Sequence, residues 1–255
     1  MIDELENNKD LESFSKMGEA AKYFLRSAFD AIAGEMIYHI ASELFSKTIN
    51  EIDPTQEDFE FMKKASEQFS DSTIKEVIDF DSDVLSPYTQ NKFSEAWEQA
   101  QKEAITTKYK FSFQHEVNGI ELIGHITNLA FFIESLSNRH LFILLATNEI
   151  DNPTYNVLDR ESVMGKLTFS FKTELKENKV KLGKISHLFS LRNKAVHFTA
   201  KNATNFKVTV EQLLAIWKET EEVCQLMFKK EELKSEPNFG EIISALKEDF
   251  KKRFV

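Results

Sequence analysis

The sequence predicts an all-α protein, and three features of it support this class. Apolar residues recur at steps of three or four over most of the chain, which is the spacing of one helix face. Only seven glycines and four prolines interrupt the 255 residues, whereas a sandwich or barrel of short strands needs many more turn residues. The 23 phenylalanines are assigned mainly to helix interfaces, because Phe adds apolar area with no polar atom to satisfy.

The first half of the chain is expected to contain helices joined by one linker. Apolar residues from about Leu11 to Ile49 recur at helical spacing and indicate one long helix or two. Further helices are expected over 57–69 and 90–107, and turn residues between them favour a linker over 70–90. From Tyr109 up to Asn118-Gly119, the ring-bearing residues Tyr109, Phe111, Phe113 and His115 alternate with polar residues, so a short strand or an extended arm is expected there.

After Gly119 the pattern changes to a compact set of helices, interrupted at Asn152-Pro153. A polar connector is expected over 201–206. The helices expected in this part cover residues 120–147, 159–177, 184–198, 210–230 and 239–252. The chain is therefore divided into a helical N-terminal region of unknown role (1–110), a helical bundle (111–230) and a charged helical tail (231–255).

Composition disfavours several classes of protein. The single cysteine, Cys224, excludes an internal disulfide and a cysteine-rich zinc site, and its apolar surroundings favour a core position over a nucleophilic role. Residues 1–10 are acidic and polar, unlike a secretory signal. The apolar stretch 129–147 contains Glu134 and Arg139, which the centre of a bilayer disfavours. We therefore expect a cytoplasmic protein with no membrane partner, no bound metal and no cofactor.

The net charge of −10 is unevenly distributed along the chain. From Arg160 to Lys207 there are eleven basic residues against three acidic ones, a local balance of +8, while the remainder carries 21 basic and 39 acidic residues. Such an asymmetry favours a polyanion-binding face on an acidic protein. The alternative is a lysine-rich helix face that is simply solvated. Residues 1–110 carry 12 basic and 23 acidic residues, so we expect this region to repel RNA.

One segment of the basic region combines residue types that suit acid–base chemistry on a phosphate. It reads Leu-Arg-Asn-Lys-Ala-Val-His-Phe over residues 191–198. On a helix, Ser186, Ser190, Asn193 and His197 fall on one face by the i, i+4, i+7, i+11 rule. Arg192 lies about 140° away from His197 around an ideal helix. The guanidinium must therefore reach across this face or act toward a neighbouring chain.

Residues 191–197, preceded by Ile-Ser-His-Leu-Phe-Ser over 185–190, resemble the signature helix of the HEPN (higher eukaryotes and prokaryotes nucleotide-binding) superfamily. In that signature an Arg is followed by a polar residue, often Asn, then by three variable residues and a His. The resemblance covers residues 119–230, with the long helix bearing Glu134 as the first of the bundle, and it does not explain residues 1 to about 110. It implies an up-and-down helical bundle and a homodimer in which two Arg/Asn/His sets share one cleft.

The resemblance also implies metal-independent cleavage of RNA, with Arg192, Asn193 and His197 as the catalytic residues. Histidine exchanges protons near neutral pH, so His197 can take the proton of a ribose 2′-OH that attacks the adjacent phosphate. The products are a 2′,3′-cyclic phosphate and a 5′-OH. Arg192 supplies a permanent planar cation for the phosphoryl oxygens, and Asn193 either orients the imidazole or holds a phosphate oxygen.

Four further residues are candidates near this motif. Glu134 is expected to meet the Arg192 helix as a salt-bridge partner, either in a supporting catalytic role or in a purely structural one. Lys184 and Lys194 are the candidates for RNA phosphate contacts, with plain solvation as the alternative, and Ser190 is assigned to the same RNA-binding set. His187 falls off the polar face and is interpreted as a surface or interface residue.

The sequence therefore favours an endoribonuclease acting on RNA. Many members of the family act in toxin and antitoxin pairs or in antiviral defence, so the resemblance implies an antitoxin or another regulatory protein as a candidate partner. One alternative is a non-catalytic module that uses the same fold to bind RNA, a nucleotide or a protein. The other is an unrelated helical interaction protein in which the motif is coincidental.

Overall fold

The computed structural model describes residues 8–49, 55–56, 58, 60, 87–118, 122–197, 206–231 and 238–255. This part of the chain holds nine helices and two strands of three residues each, which confirms the all-α class. In chain order they are α1 (Asn8–Ile49), α2 (Pro87–Thr106), β1 (Glu116–Asn118), α3 (Ile123–Ala146), α4 (Asn152–Asp159), α5 (Val163–Ser170), α6 (Lys172–Lys176), α7 (Gly183–Val196), β2 (Lys207–Thr209), α8 (Val210–Lys230) and α9 (Phe239–Phe254).

The chain divides into two compact units. One comprises residues 1–35 together with 109–255, and the other comprises residues 36–108. The N-terminal region expected over 1–110 thus contributes to both units, and the boundaries at 110 and 230 stay predictions. The helix expected from about Leu11 to Ile49 is one helix, α1, which supplies residues to both units.

The larger unit is organised around α3. This helix contacts α4, α5 and α7, while α8 contacts both α7 and α9. Ile126, Leu129 and Phe132 of α3 are buried, as are Ile185 and Leu188 of α7. Burying these side chains removes apolar area from water at about 25 cal/mol per Å², which is the main stabilising contribution at such interfaces. The motif helix α7 is consequently held between two other helices.

Among the described residues, α3 is one helix with the length and apolarity of a membrane span. Within its most apolar window, 61% of the residues are buried inside the protein. Its charged Arg139 is also buried and forms an ion pair with Glu231 beyond the end of α8, with 2.8 Å between Nη1 and Oε2. The burial and the paired charge are those of a core helix, as expected from the sequence.

A buried histidine links three helices of the larger unit. The indole N–H of Trp217 on α8 donates to His125 Nε2 on α3 at 2.9 Å. An indole nitrogen only donates, so Nε2 is the unprotonated nitrogen and Nδ1–H donates to the carbonyl of Ala28 on α1 at 2.7 Å. Burial lowers the pKa of His125 to about 4, against a small raising effect of the Ala28 hydrogen bond. The imidazole is therefore a neutral structural element at physiological pH.

The first turn of α7 is capped by a carboxylate from another helix. Oε1 of Glu219 on α8 accepts hydrogen bonds from the backbone N–H groups of Lys184 at 2.6 Å and Ile185 at 2.8 Å. The N-cap residue of α7, Leu182, makes no capping hydrogen bond with its own side chain. A carboxylate is favourable here because it satisfies orphan N–H groups and lies at the positive end of the helix dipole. Glu219 thus fixes where the motif helix begins relative to α8.

The two strands pair next to the start of α8. They are antiparallel, with Val117 opposite Val208, and both of these side chains are fully buried. Of the short strand or extended arm expected from residue 109 up to 118–119, only residues 116–118 are a strand in the described structure. Phe111 in the preceding segment is buried, and its backbone N–H donates to the carbonyl of Phe254 at 2.7 Å. This segment therefore contacts the end of α9 instead of forming a longer ladder.

The prediction of a single helix over 159–177 is wrong. Three short helices occupy residues 152–176, and Asp151 and Ser162 cap the first two with their side chains. Pro153 lies in the first turn of α4, where its missing N–H costs nothing. Asn152-Pro153 therefore starts a helix, while the preceding helix α3 ends earlier, at Ala146. The fully buried Phe171 has φ −116° and ψ 25° and separates α5 from α6. Competing caps and a buried aromatic residue override the local periodicity.

Within the smaller unit, the later part of α1 packs on α2 through aromatic rings. Trp97 makes edge-to-face contacts with Tyr38 at 5.6 Å and Phe45 at 5.4 Å between ring centroids. Thr89 Oγ1 donates to the buried Asp58 Oδ2 at 2.7 Å. Most of the helix expected over 57–69, apart from residues 58 and 60, lies outside the described residues, as does most of the linker expected over 70–90. Residues 87–90 of that linker form the first turn of α2.

Candidate functional site

The motif residues lie at the C-terminal end of α7. The helix expected to reach Phe198 ends at Val196, and His197 is its C-cap with φ −104° and ψ 52°. The backbone N–H of His197 still donates to the Asn193 carbonyl at 3.0 Å. Its side chain is exposed, so the imidazole is open to a ligand. Phe198 lies outside the described residues.

Ser186, Ser190, Asn193 and His197, which helical spacing places on one face of α7, form its polar row. Three of these four residues line one cavity of about 500 Å³. They are Ser186, Ser190 and Asn193, which are exposed on the same side of α7. The cavity is completed by Phe189, Lys194 and, from α5, Met164. His197 does not contribute to its lining. The helical spacing therefore brings the hydroxyl and amide groups together, while the helix ends before the histidine.

Arg192 is held against α3. Its guanidinium lies over the ring of Phe131, with 5.7 Å between Cζ and the ring centroid, a cation–π geometry. Nη1 donates to Asn193 Oδ1 at 3.2 Å. The buried Nε has no hydrogen-bond partner among the described residues. The arginine thus points to the flank of the polar row, where Nη2 remains available for an anion.

Asn193 contacts Arg192 through its side chain and His197 only through the backbone. The amide oxygen accepts the hydrogen bond from Arg192, and the Asn193 carbonyl accepts the one from the His197 N–H. Of the two roles expected for this amide, orienting the imidazole has no contact to support it in the described structure. Holding a phosphate oxygen stays a prediction.

Glu134 is half-buried on α3, three residues after Phe131 and on the same side of the helix. The two described side chains Glu134 and Arg192 form no ion pair, because the guanidinium is engaged by Phe131 and Asn193 instead. Four residues further along α3, Asn138 Oδ1 accepts from Lys166 Nζ at 2.7 Å. A supporting role for Glu134 therefore stays a prediction, and the salt bridge is not its means in this structure.

The basic residues of the region fall into two groups. Three of them are occupied: Lys166 by Asn138, Lys179 by Glu177 at 2.5 Å and Lys207 by Glu116 at 2.8 Å. A second group is exposed and forms no ion pair within the described ranges. It consists of Lys172, Lys176, Lys181, Lys184 and Lys194. These lysines run from α6 through the following loop and along α7, so the positive charge is on the surface beside the motif.

The positive charge of these lysines affects the exposed His187 on the same helix. Partial burial lowers the pKa of its imidazole, and the positive charges of Lys184 and Lys194 lower it further. Both lysines therefore contribute to one positive field along α7. Such a field attracts the phosphates of a nucleic acid, which is the role expected for these two residues.

Cys224 is buried in α8, and burial raises the pKa of its thiol far above the usual range. The thiol stays protonated at neutral pH, and protonated buried thiols are poor nucleophiles. Its position agrees with the core residue expected from the sequence.

Several residues that shape the site were not identified from the sequence. Glu219 caps α7, Phe131 holds Arg192, and Met164 and Phe189 form the apolar walls of the cavity. Glutamate and phenylalanine are abundant in the chain, and no spacing distinguishes Glu219, Phe131 or Met164. Phe189 alone had a signal, since it lies between Ser186 and Ser190 of the predicted polar face.

Comparison of the chain with known protein families, with curated proteins and with solved structures finds no match.

Proposed function

We propose that the protein is a metal-independent endoribonuclease of the HEPN type, with α3, α5, α7 and α8 forming the up-and-down bundle of that superfamily. The observation that carries the proposal is the position of Arg192, Asn193 and His197 at one end of α7. Two of the three side chains are hydrogen-bonded to each other, and the third is exposed one turn away. The exposed lysines beside them supply the positive surface that RNA requires.

In the proposed reaction, His197 removes the proton from a ribose 2′-OH. The 2′ oxygen attacks the adjacent phosphorus, the bond from phosphorus to the 5′ oxygen breaks, and the leaving 5′ oxygen takes up a proton from water. The products are a 2′,3′-cyclic phosphate and a 5′-OH. A side chain that is exposed at a helix end can approach a ribose without displacing other protein groups, which suits His197 for this role.

Arg192 stabilises the charge on the phosphoryl oxygens. A guanidinium held at one place needs no reorganisation when this charge develops. The Phe131 ring and the Asn193 amide oxygen restrain it, yet leave Nη2 for the phosphate. Asn193 positions Arg192, and its amide nitrogen is available to the substrate.

The active form is proposed to be a homodimer with a composite cleft. Within one chain, Arg192 is turned toward α3 while His197 lies at the C-terminal end of α7. Val196, next to His197, is 55% exposed and offers an apolar contact at the same end. A second copy placed there would bring two motifs together. Toxin or antiviral-defence biology, a regulatory partner such as an antitoxin, and a cytoplasmic location are proposed with it on the family resemblance.

The test is cleavage of total RNA and tRNA in the presence of EDTA. Wild type, His197→Ala and the control His187→Ala are compared, because His187 is an exposed histidine on the same helix. We expect cleavage by wild type and by His187→Ala, and loss of roughly a hundredfold or more in rate for His197→Ala. Equal rates for wild type and His197→Ala would contradict the assignment of the base.

A non-catalytic RNA- or nucleotide-binding module is the second candidate. The cavity beside α7 favours it, because His197 lies outside the cavity. This candidate predicts that wild type and every variant leave the RNA intact in the cleavage assay, although the wild-type protein binds RNA.

A further inference from the structure

We propose that the cavity beside α7 binds one unpaired base of the RNA and prefers guanine to adenine. The inference deepens the proposed function and rests on it for the identity of RNA as the ligand. Recognition of RNA sequence commonly uses single-stranded bases that stack on aromatic side chains and form hydrogen bonds along their edges. The cavity offers both kinds of contact.

The size and the apolar walls of the cavity suit a base. It is an open depression in the surface with a volume of about 500 Å³, which exceeds that of a purine, so a bound base would keep one side exposed to solvent. Phe189 of α7 and Met164 of α5 are half-buried, and both line the cavity. An aromatic ring and a polarisable thioether provide favourable surfaces for stacking a flat ring.

The polar side of the cavity is rich in donors. Asn193 Oδ1 is occupied by Arg192 Nη1, so the Asn193 amide faces a ligand with its NH₂ group. No described residue accepts a hydrogen bond from that nitrogen. Lys194 adds an ammonium group, which only donates, and the hydroxyls of Ser186 and Ser190 donate or accept.

This donor pattern selects between the purines. The edge of guanine that carries N7 and O6 presents two acceptors, whereas the same edge of adenine presents one acceptor and one donor. An Asn193 NH₂ group and a Lys194 ammonium match the first pattern, and the adenine amino group would face another donor. Guanine is therefore the purine that the lining of the cavity fits.

The position of the cavity relates the bound base to the reaction. Ser190 and His197 are seven residues apart, which is about 10 Å along a helix axis. A nucleotide in the cavity would therefore lie close to the ribose that His197 approaches. Lys184, nearer the start of α7, would contact the backbone on the other side of the bound base. Cleavage is thus expected close to a guanine.

The test uses GMP and AMP, which share the same phosphate and are not substrates for cleavage. Each is titrated into the protein labelled at its methionine methyl groups, and NMR shifts report both affinity and location. We expect GMP to bind roughly fivefold or more tightly than AMP and to shift the Met164 methyl signal most. Equal affinities, or shifts confined to other methionines, would overturn the proposal.

A charge-matched pair of variants tests the role of Asn193. Asn193→Asp replaces the NH₂ donor by an acceptor with little change of shape, and Ser112→Asp adds the same charge at an exposed serine outside the cavity. The ratio of the GMP and AMP affinities should fall to about one in Asn193→Asp and stay at the wild-type value in Ser112→Asp. An unchanged ratio in Asn193→Asp would overturn the base assignment.

The two proposals fail separately. Preferred binding of GMP at Met164 by a protein that leaves RNA intact would support the base site and reject the ribonuclease. Cleavage of RNA to cyclic phosphate ends, with GMP and AMP bound equally, would support the ribonuclease and reject the base site.

Discussion

The guanidinium of Arg192 on α7 lies 5.7 Å above the ring centroid of Phe131 on α3. The contact fixes the cation of the proposed site to the central helix of the larger unit. Phe131 itself is held by Phe24 of α1, with 5.3 Å between their ring centroids. The arginine thus rests on two layers of aromatic residues that belong to different helices.

Replacing Phe131 by Leu should lower the rate of RNA cleavage about tenfold, because a cation–π contact of about 0.5–2 kcal/mol is lost. The binding of RNA should change much less, since the lysines are retained. Steady-state kinetics on a fluorescent RNA would separate the fall in kcat from any rise in KM. Phe113→Leu is the control, because Phe113 is 54% exposed and does not contact Arg192. A Phe131→Leu enzyme with the wild-type kcat would mean that the ring has no positioning role.

Glu219→Gln should destabilise the start of α7. The amide keeps one acceptor oxygen but loses the charge that interacts with the helix dipole, at a cost of about 1–2 kcal/mol. Hydrogen exchange of the Lys184 and Ile185 amides should accelerate, since these N–H groups donate to Glu219. Glu222→Gln on the same helix serves for comparison, because it only loosens a surface pair with Lys218 at 3.9 Å. Unchanged exchange at both amides would show that the carboxylate is dispensable.

Acid should destabilise the protein through His125. The pKa of its imidazole is about 4 in the folded protein and 6.5 for an unperturbed histidine, so the unfolded chain binds the proton more readily. This contribution is complete above pH 6.5 and is lost as the pH falls toward 4, by about 3 kcal/mol in total. Urea unfolding at several pH values would measure it. The variant His125→Gln should lack this part of the slope, and an identical slope in both proteins would contradict the burial of a neutral imidazole.

Glu231→Ala should cost about 3–5 kcal/mol of unfolding free energy, because it leaves the buried Arg139 without its carboxylate. The same carboxylate contacts His140 Nδ1 at 3.1 Å, and the imidazole stacks on Phe171. The double variant Arg139→Met/Glu231→Ala should recover part of this loss, as the unpaired charge is gone. Additive losses in the double variant, measured by urea unfolding, would indicate that the two residues do not interact.

Local sequence signals sufficed for several elements. The helix predicted over 210–230 has those limits in the structure, where Thr209 and Gln212 form a capping box at its start and lysines occupy its last turn. The polar row on α7 follows from helical spacing alone, and Ser186, Ser190 and Asn193 do line one cavity.

Long-range contacts account for what the sequence did not reveal. Three contacts join segments that are distant in the sequence: the hydrogen bonds of Glu219 to the start of α7, the Arg139–Glu231 ion pair and the cation–π contact of Arg192 with Phe131. A single sequence carries no periodic signal for such pairs. The separation of α5 from α6 at the buried Phe171 depends likewise on packing, which overrides local helical propensity.

The most direct test of the ribonuclease proposal is the fate of one RNA linkage that the protein cleaves. An oligonucleotide containing that linkage is compared with the same molecule carrying a single 2′-deoxyribose in the nucleotide on the 5′ side of the linkage. Both reactions contain EDTA, and the masses of the products are measured by mass spectrometry. We predict cleavage of the first to a 2′,3′-cyclic phosphate and a 5′-OH, and an intact linkage in the second. Cleavage of both, or products with 5′-phosphate ends, would contradict attack by the 2′-OH and with it the assigned chemistry of His197.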